Sequence, residues 1–123
     1  MTQELLNQLK ELDTVFQNRS TEVCELLSPI NDDYSHLTEF RLHRDFVDGE
    51  GYDWKHGKYA QRFPQSFLTS TNDEIQEYVN KELERIEQEK KELNEKFRKE
   101  QEEKDYKTYI KLKEKFEKLK EQL

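Results

Sequence analysis

The chain contains few of the residues that cross-link, bend or interrupt a polypeptide: one cysteine, two prolines and three glycines in 123 residues. The single cysteine, Cys24, excludes an intramolecular disulfide, and such sparing use is typical of a reducing compartment. No stretch approaches the ~18 consecutive apolar residues of a membrane-spanning helix. The N-terminal residues also lack the apolar run of a signal peptide. We therefore expect a cytoplasmic protein with no membrane partner.

Apolar residues are also scarce, at 32%, whereas charged residues make up 40% of the chain. Globular domains average ~45–50% apolar and ~25% charged residues. A core that includes the whole chain is therefore not expected, and part of the chain is predicted to be a solvated, charged helix. The net charge of −7 argues against direct nucleic-acid binding as the main activity, because phosphate-binding proteins usually show a basic excess.

The first 30 residues have the spacing of an amphipathic helix. Apolar residues recur at intervals of three and four, with Arg19 as the one interruption, and this spacing places them on one helix face. Pro29 ends the pattern, since the residue before a proline avoids helical geometry. We predict a helix over about residues 2–27 that packs this face into a core. The face consists of Leu5, Leu9, Leu12, Phe16, Val23, Leu26 and Ile30.

The next segment changes to the two-residue alternation of strands. Apolar and polar residues alternate over residues 40–47 and again around Tyr59–Phe63. All three glycines lie between Asp48 and Gly57. We predict that Gly49 and Gly51 form a hairpin turn and that Gly57 forms a second turn or a bulge. The result is a small antiparallel sheet of two or three strands over about residues 38–63.

The rest of the chain is typical of one long helix. Thr71 and Glu74 form a capping-box pattern, and neither glycine nor proline follows. One apolar rhythm runs from Ile75 to Phe97, and another, in a different phase, begins at Tyr109. Between them, around residues 102–108, the helix either continues with a shifted stripe or turns back. Continuation is favoured because no residue there breaks a helix.

The predicted fold class is therefore α+β. It consists of an N-terminal helix, a small antiparallel sheet, and a long charged C-terminal helix that starts at about residue 72 and has coiled-coil character. Residues 1–98 are predicted to form one helix-sheet-helix domain. Residues 99–123 extend the long helix or form a returning one.

No motif for metal or covalent chemistry is present. The histidines His36, His43 and His56 lack the close spacing of a zinc site. The acidic residues Asp48, Glu50 and Asp53 lack the twelve-residue pattern of a calcium loop. Cys24 lies beside Val23 on the apolar side of the first helix, as a small hydrophobic residue would. We therefore expect no catalytic residue, no metal and no cofactor, and a protein that is not an enzyme.

Two groups of residues are candidates for binding. The aromatic block Tyr52, Trp54, Tyr59, Phe63 and Phe67 either fills a small core, which is the favoured interpretation, or forms a contact surface. If it recognises a partner, the predicted partner-binding residues are Tyr52, Trp54, Tyr59 and Arg62. Near the C-terminus, the heptad spacing of apolar residues favours an oligomerisation seam over nucleic-acid contact. That predicted seam is Tyr109, Leu112, Phe116 and Leu119.

Parts of the chain resemble small, uncharacterised proteins encoded by phages and prophages of Gram-positive bacteria. The resemblance is carried by "YDWKHGKYAQRFPQSFLTSTNDEIQEYVNKELERIEQEKK" and "DYKTYIKLKEKFEKL". Within them, Phe63–Pro64 is followed by Leu68, and Tyr109 begins a "Y-x-x-L-K-x-K-F" pattern. The resemblance covers about the C-terminal two-thirds. It implies no activity and no catalytic residues, and it points to an accessory product that binds host machinery.

Three hypotheses of function follow. The first is a non-enzymatic protein-interaction module, a phage-type modulator or inhibitor of a host protein complex in the host cytoplasm. The second is a self-associating coiled-coil protein, a homodimer through the C-terminal helix. The third is an acidic nucleic-acid mimic that blocks a nuclease or DNA-binding protein, because residues 1–71 hold 12 acidic and 7 basic residues.

Overall fold

The computed structural model describes all 123 residues and has the predicted α+β architecture. Helix α1 (Gln3–Leu27) leads through a 3₁₀ turn (Asp32–His36) into strands β1 (Glu39–Leu42), β2 (Phe46–Asp53) and β3 (Gly57–Pro64). A second 3₁₀ turn (Gln65–Leu68) precedes helix α2 (Asn72–Glu121). The strands form one antiparallel sheet in the order β1-β2-β3.

Only the second half of α1 packs into the core. Val23, Cys24 and Leu27 are buried, and Phe16 and Leu26 pack against them. The prediction that the whole apolar face is covered is wrong, because the leucines of the first half are exposed, up to 66% for Leu12. The sheet contacts the second half of α1, where the side chain of Gln17 pairs with Phe40 of β1.

The sheet turns at different places from those predicted. The alternating segment 40–47 is not one strand, since a loop at residues 43–45 divides it between β1 and β2. The prediction of a hairpin turn at Gly49 and Gly51 is also wrong: both lie inside β2, and neither has positive φ. The second predicted turn is present at residues 54–56, where Gly57 has φ of 87°.

The two glycines inside β2 lie where other atoms come close to the strand, backbone atoms at Gly51 and side-chain atoms at Gly49. A Cβ on Gly51 would lie 1.8 Å from the carbonyl oxygen of His36, and one on Gly49 would lie 2.8 Å from Cδ1 of Leu37. The end of the first 3₁₀ turn therefore crosses directly over β2. Glycine is clustered here because another part of the chain touches the strand, and not because the strand itself bends.

The core lies between the covered face of the sheet, α1 and the first turns of α2. Phe40, Val47 and Phe63 enter it from the three strands, and Ile75 and Val79 enter it from α2. The predicted capping box begins α2: the amide of Glu74 donates to Oγ1 of Thr71 at 3.2 Å, and the amide of Thr71 donates to Oε1 of Glu74 at 3.4 Å.

Two side chains of α1 connect this helix to the rest of the fold. The amide group of Gln17 pairs with both backbone groups of Phe40, donating to its carbonyl at 2.9 Å and accepting from its N–H at 3.0 Å. It thereby satisfies the two outward backbone groups of Phe40 on the open edge of β1, which would otherwise be free to pair with another chain. Arg19 donates to the carbonyls of Phe67, Leu68 and Ser70 and to Oδ1 of Asn72, and so holds the connection that leads into α2.

Helix α2 is one continuous helix through residues 102–108. Within it, Glu77–Lys81 and Glu95–Lys99 form i,i+4 ion pairs. The chain divides into two compact units, Met1–Leu83 and Glu84–Leu123, and α2 contributes to both. The predicted domain boundary at residues 98–99 stays a prediction. No helix is both long and apolar enough to cross a membrane.

Candidate functional site: the outer face of the sheet

One face of the sheet has no helix over it. Along β2 the buried residues Val47, Gly49 and Gly51 alternate with residues that point to the opposite side. We call that opposite side the outer face. Together with its cross-strand neighbours in the observed register, it consists of Glu39, Arg41, Phe46, Asp48, Glu50, Tyr52, Lys58, Ala60, Arg62 and Pro64.

One end of the outer face is an ordered cluster around Phe46. The imidazole of His43 stacks on the Phe46 ring with centroids 4.6 Å apart, and the guanidinium carbon of Arg62 lies 4.3 Å from the same centroid. Asp48 lies 3.8 Å from both His43 Nε2 and Arg62 Nε. The exposed ion pair between Asp48 and Arg62 is worth at most about 1 kcal/mol. Its charges can therefore be exchanged for those of a partner at small cost.

The other end of the outer face carries the two most exposed aromatic side chains of the sheet. Tyr52 is 76% exposed at the end of β2, and Trp54 is 85% exposed in the turn that follows. Neither ring stacks on another aromatic ring, whereas Phe46 and Tyr59 do. The aromatic block is therefore divided, and the favoured prediction that it fills the core is wrong for Tyr52 and Trp54.

The turn that holds Trp54 is itself ordered by Asp53. One carboxylate oxygen accepts from the amide of Lys55 at 2.8 Å, and the other lies 3.0 Å from Nδ1 of His56. The hydrogen bond with His56, followed by that from Lys55, lowers the pKa of Asp53 below its ordinary value. Trp54 is thus presented from a turn with fixed ends, which reduces the conformational entropy lost when it is buried against a partner.

The other members of the predicted aromatic block lie on the covered side. Phe63 is buried, and Phe67 and Tyr59 pack against the core. The Tyr59 ring stacks on His36 with centroids 4.5 Å apart. Desolvation, and then the nearby carboxylates of Asp53, Asp33 and Asp32, raise the Tyr59 pKa. Of the four predicted partner-binding residues, the structure therefore brings Tyr52 and Arg62 onto the outer face, places Trp54 in the turn beyond it, and places Tyr59 elsewhere.

A depression that is open to solvent lies on the outer face beside Tyr52. The depression beside Tyr52 has a volume of about 260 Å³, is lined mainly by Thr38, Glu39, Glu50 and Lys58, and is open to solvent. Small-molecule sites are typically enclosed and ~300–1,000 Å³ in volume. No group of three or more histidine, cysteine or acidic side chains is arranged to hold a metal ion.

Cys24 does not have the properties of a nucleophile. Its side chain is buried in the core, and burial raises the pKa of its thiol to about 12. The reactive form of cysteine is the thiolate, which is almost absent at neutral pH when the pKa is so high.

We expect Cys24 to be alkylated by iodoacetamide at pH 8 at least about 100-fold more slowly in the folded protein than in urea, since both access and ionisation are suppressed. Mass spectrometry of timed samples measures the two rates. Equal rates would show that the core opens around α1 far more often than this packing allows.

Two apolar surfaces lie outside the sheet. The predicted seam residues Tyr109, Leu112, Phe116 and Leu119 lie on α2, each more than half exposed. Leu5, Leu9 and Leu12 form a second exposed set on α1. Sequence periodicity identified both sets as apolar helix faces. It wrongly predicted that the α1 set lies in the core. An apolar repeat along a helix does not indicate how much of that helix the sheet covers.

Comparison with known proteins adds no assignment. The chain matches no family model, no curated protein and no solved structure.

Proposed function

We propose that this protein is a non-enzymatic protein-interaction module that binds another protein through the Trp54 end of its outer face. The observation that carries the proposal is the exposure of Trp54 and Tyr52 on an ordered turn. Neighbouring exposed aromatic side chains are typical of protein-interaction sites, and tryptophan and tyrosine are enriched among interface hot spots.

The surroundings of these aromatics suit a protein partner. Glu50 and Lys58 form an ion pair of 3.2 Å beside Tyr52, and Asp48 and Arg62 form another further along the sheet. An aromatic centre beside paired charges has the composition of a protein interface with a polar rim. Because the chain resembles phage-encoded proteins, the partner should be sought first among the protein complexes of a bacterial host. The proposed consequence of binding is modulation or inhibition of that complex.

Replacing both Tyr52 and Trp54 by alanine is expected to weaken partner binding at least about 100-fold, because each hot-spot aromatic contributes ~2 kcal/mol or more. The thermal midpoint should stay within a few degrees of wild type, since both side chains are already solvated. Affinity purification from the host with quantitative mass spectrometry finds the partner, and titration calorimetry with the purified partner measures the affinity.

The matched control is Tyr106→Ala, which removes an equally solvated tyrosine from α2. It should leave binding unchanged if the Trp54 end is the contact. A partner that binds the Tyr52/Trp54 double variant as tightly as wild type would overturn the proposal. Tyr59→Ala is unsuitable as a probe because it removes core packing as well.

A second function is favoured by a separate observation, the solvated apolar face near the end of α2. Tyr109, Leu112, Phe116 and Leu119 keep heptad spacing on a continuous helix, and each is more than half exposed. We propose that this face mediates self-association. The predicted nucleic-acid mimicry has no comparable support, because the acidic residues Asp48 and Glu50 of the outer face are paired with basic side chains.

A further inference from the structure

Two exposed apolar stripes have the same spacing. The α1 stripe is Leu5, Leu9, Leu12 and Phe16, and the α2 stripe is Leu112, Phe116, Leu119 and Leu123. Both have intervals of four, three and four residues, which is the repeat that lets two helices pack side by side. Except for Phe16, which packs partly against the core, these residues are at least half exposed.

The charges around the two stripes are opposite. The first half of α1, residues 3–18, has three acidic residues and one lysine, whereas residues 109–123 have five lysines and three glutamates. The residues that flank the α2 stripe on its packing side are Lys113, Lys115, Lys120 and Gln122. Those that flank the α1 stripe are Leu6, Gln8, Asp13 and Val15.

This pattern opposes pairing of one α2 stripe with another. In an antiparallel pair Lys113 of one copy would face Lys120 of the other, and in a parallel pair Lys115 would face Lys120. Like charges at flanking positions disfavour a coiled coil, because these positions set the choice of partner.

We infer that the α2 stripe of one copy docks on the α1 stripe of a second copy, antiparallel. Four apolar layers then form, with Leu9 opposite Leu119 and Leu12 opposite Phe116. Asp13 faces Lys113, and the aliphatic stems of the other lysines lie over Leu6 and Val15. The antiparallel direction also places the positive N-terminal end of one helix dipole beside the negative C-terminal end of the other.

The arrangement is complete with two copies, each of which docks its α2 stripe on the α1 stripe of the other. Each chain supplies one α1 stripe and one α2 stripe, so a symmetric dimer contains two identical helix pairs and leaves neither stripe open. One pair of about two heptads is short for a stable coiled coil, and two pairs formed together double the buried apolar surface. This inference rests on the proposed self-association and names the surface that receives the α2 stripe.

Sedimentation equilibrium of purified full-length protein tests self-association and the docking of the α2 stripe on α1 of a second copy separately. We expect a concentration-dependent dimer for wild type and for the control Leu93→Gln, which changes an exposed α2 leucine outside the stripes. Leu9→Gln with Leu12→Gln should weaken the dimer at least about 100-fold. Asp13→Lys should weaken it about tenfold, and Asp13→Lys with Lys113→Asp should restore it.

Disulfide formation between two chains that each carry one added cysteine tests the direction, since the native Cys24 is buried. Leu9→Cys mixed with Leu119→Cys should cross-link faster than Leu9→Cys mixed with Phe116→Cys, because only the antiparallel register opposes the first pair. A chain that remains monomeric at high concentration would overturn self-association itself. A dimer that tolerates both Leu9/Leu12 and Asp13 variants, or a Leu9–Leu119 cross-link within one chain carrying both cysteines, would overturn docking on α1 of a second copy.

Discussion

Replacing Gly51 by alanine is expected to destabilise the protein by about 3 kcal/mol or more, a large part of the ~5–15 kcal/mol that stabilises a typical domain. The new Cβ would lie 1.8 Å from the carbonyl oxygen of His36, 2.8 Å from its carbonyl carbon and 3.2 Å from Cα of Leu37. All three are backbone atoms, so no rotamer change relieves the overlap. Either the first 3₁₀ turn must move off the sheet or β2 must deform.

The other glycines supply graded controls. Gly49→Ala should cost less, about 1–2 kcal/mol, because its Cβ would meet the side-chain atoms Leu37 Cδ1 and Phe40 Cε1, which can shift. Gly57→Ala should cost about 1 kcal/mol, since nothing lies within 4 Å and only the φ of 87° is unfavourable. Urea unfolding gives the three free energies. A Gly51 variant as stable as the Gly57 variant would contradict the close approach seen here.

Replacing Arg19 by leucine is expected to cost about 3–4 kcal/mol. The Arg19 side chain is only 20% exposed, and its guanidinium donates to three backbone carbonyls, at 3.2 Å to Leu68, 3.3 Å to Phe67 and 2.5 Å to Ser70. Hydrogen bonds to a charged group are worth ~1.5–3 kcal/mol each, and removing the donor leaves partly buried carbonyls unpaired. The connection that positions the first turn of α2 would lose its main tether.

Arg19→Lys should recover less than half of that loss, because an ammonium cannot reproduce the planar fork that reaches separate acceptors. Arg98→Leu is the matched control, since Arg98 is solvated on α2 with only a 3.8 Å ion pair to Glu95, and it should be nearly neutral. Urea unfolding measures stability, and hydrogen exchange at Ile75 reports the start of α2. Equal stability of the Arg19→Leu and Arg98→Leu variants would show that the tether is not needed.

The expected effects of Gly51→Ala and Arg19→Leu both depend on residues that stand out in the sequence, but the sequence does not indicate what these residues contact. The glycine cluster was visible, but residues 36 and 51 are far apart along the chain, so their contact could not be predicted from local pattern. Arg19 was visible as the one charged residue in an apolar repeat. Three of its acceptors are backbone carbonyls about fifty residues away. Every residue has a backbone carbonyl, so the sequence does not indicate which ones accept these hydrogen bonds.

Only part of the candidate site could be predicted, again because the rest depends on contacts between distant segments. Alternation correctly indicates that neighbouring residues of a strand point to opposite faces, but it does not state which face is covered. That choice depends on where α1 and the 3₁₀ turns pack, and it decides that the face of β3 with Tyr59 is covered and the face with Arg62 is exposed.

By itself, the sequence determined the two helices, the capping box at Thr71 and the existence of a small sheet, because those features depend on backbone propensity and on repeats within a few residues. The tertiary structure alone decided that Gly49 and Gly51 lie within a strand, that Arg19 tethers α2, and that the first half of α1 lies uncovered. These outcomes depend on contacts between distant segments. A repeat specifies an apolar face, and only packing specifies what, if anything, covers it.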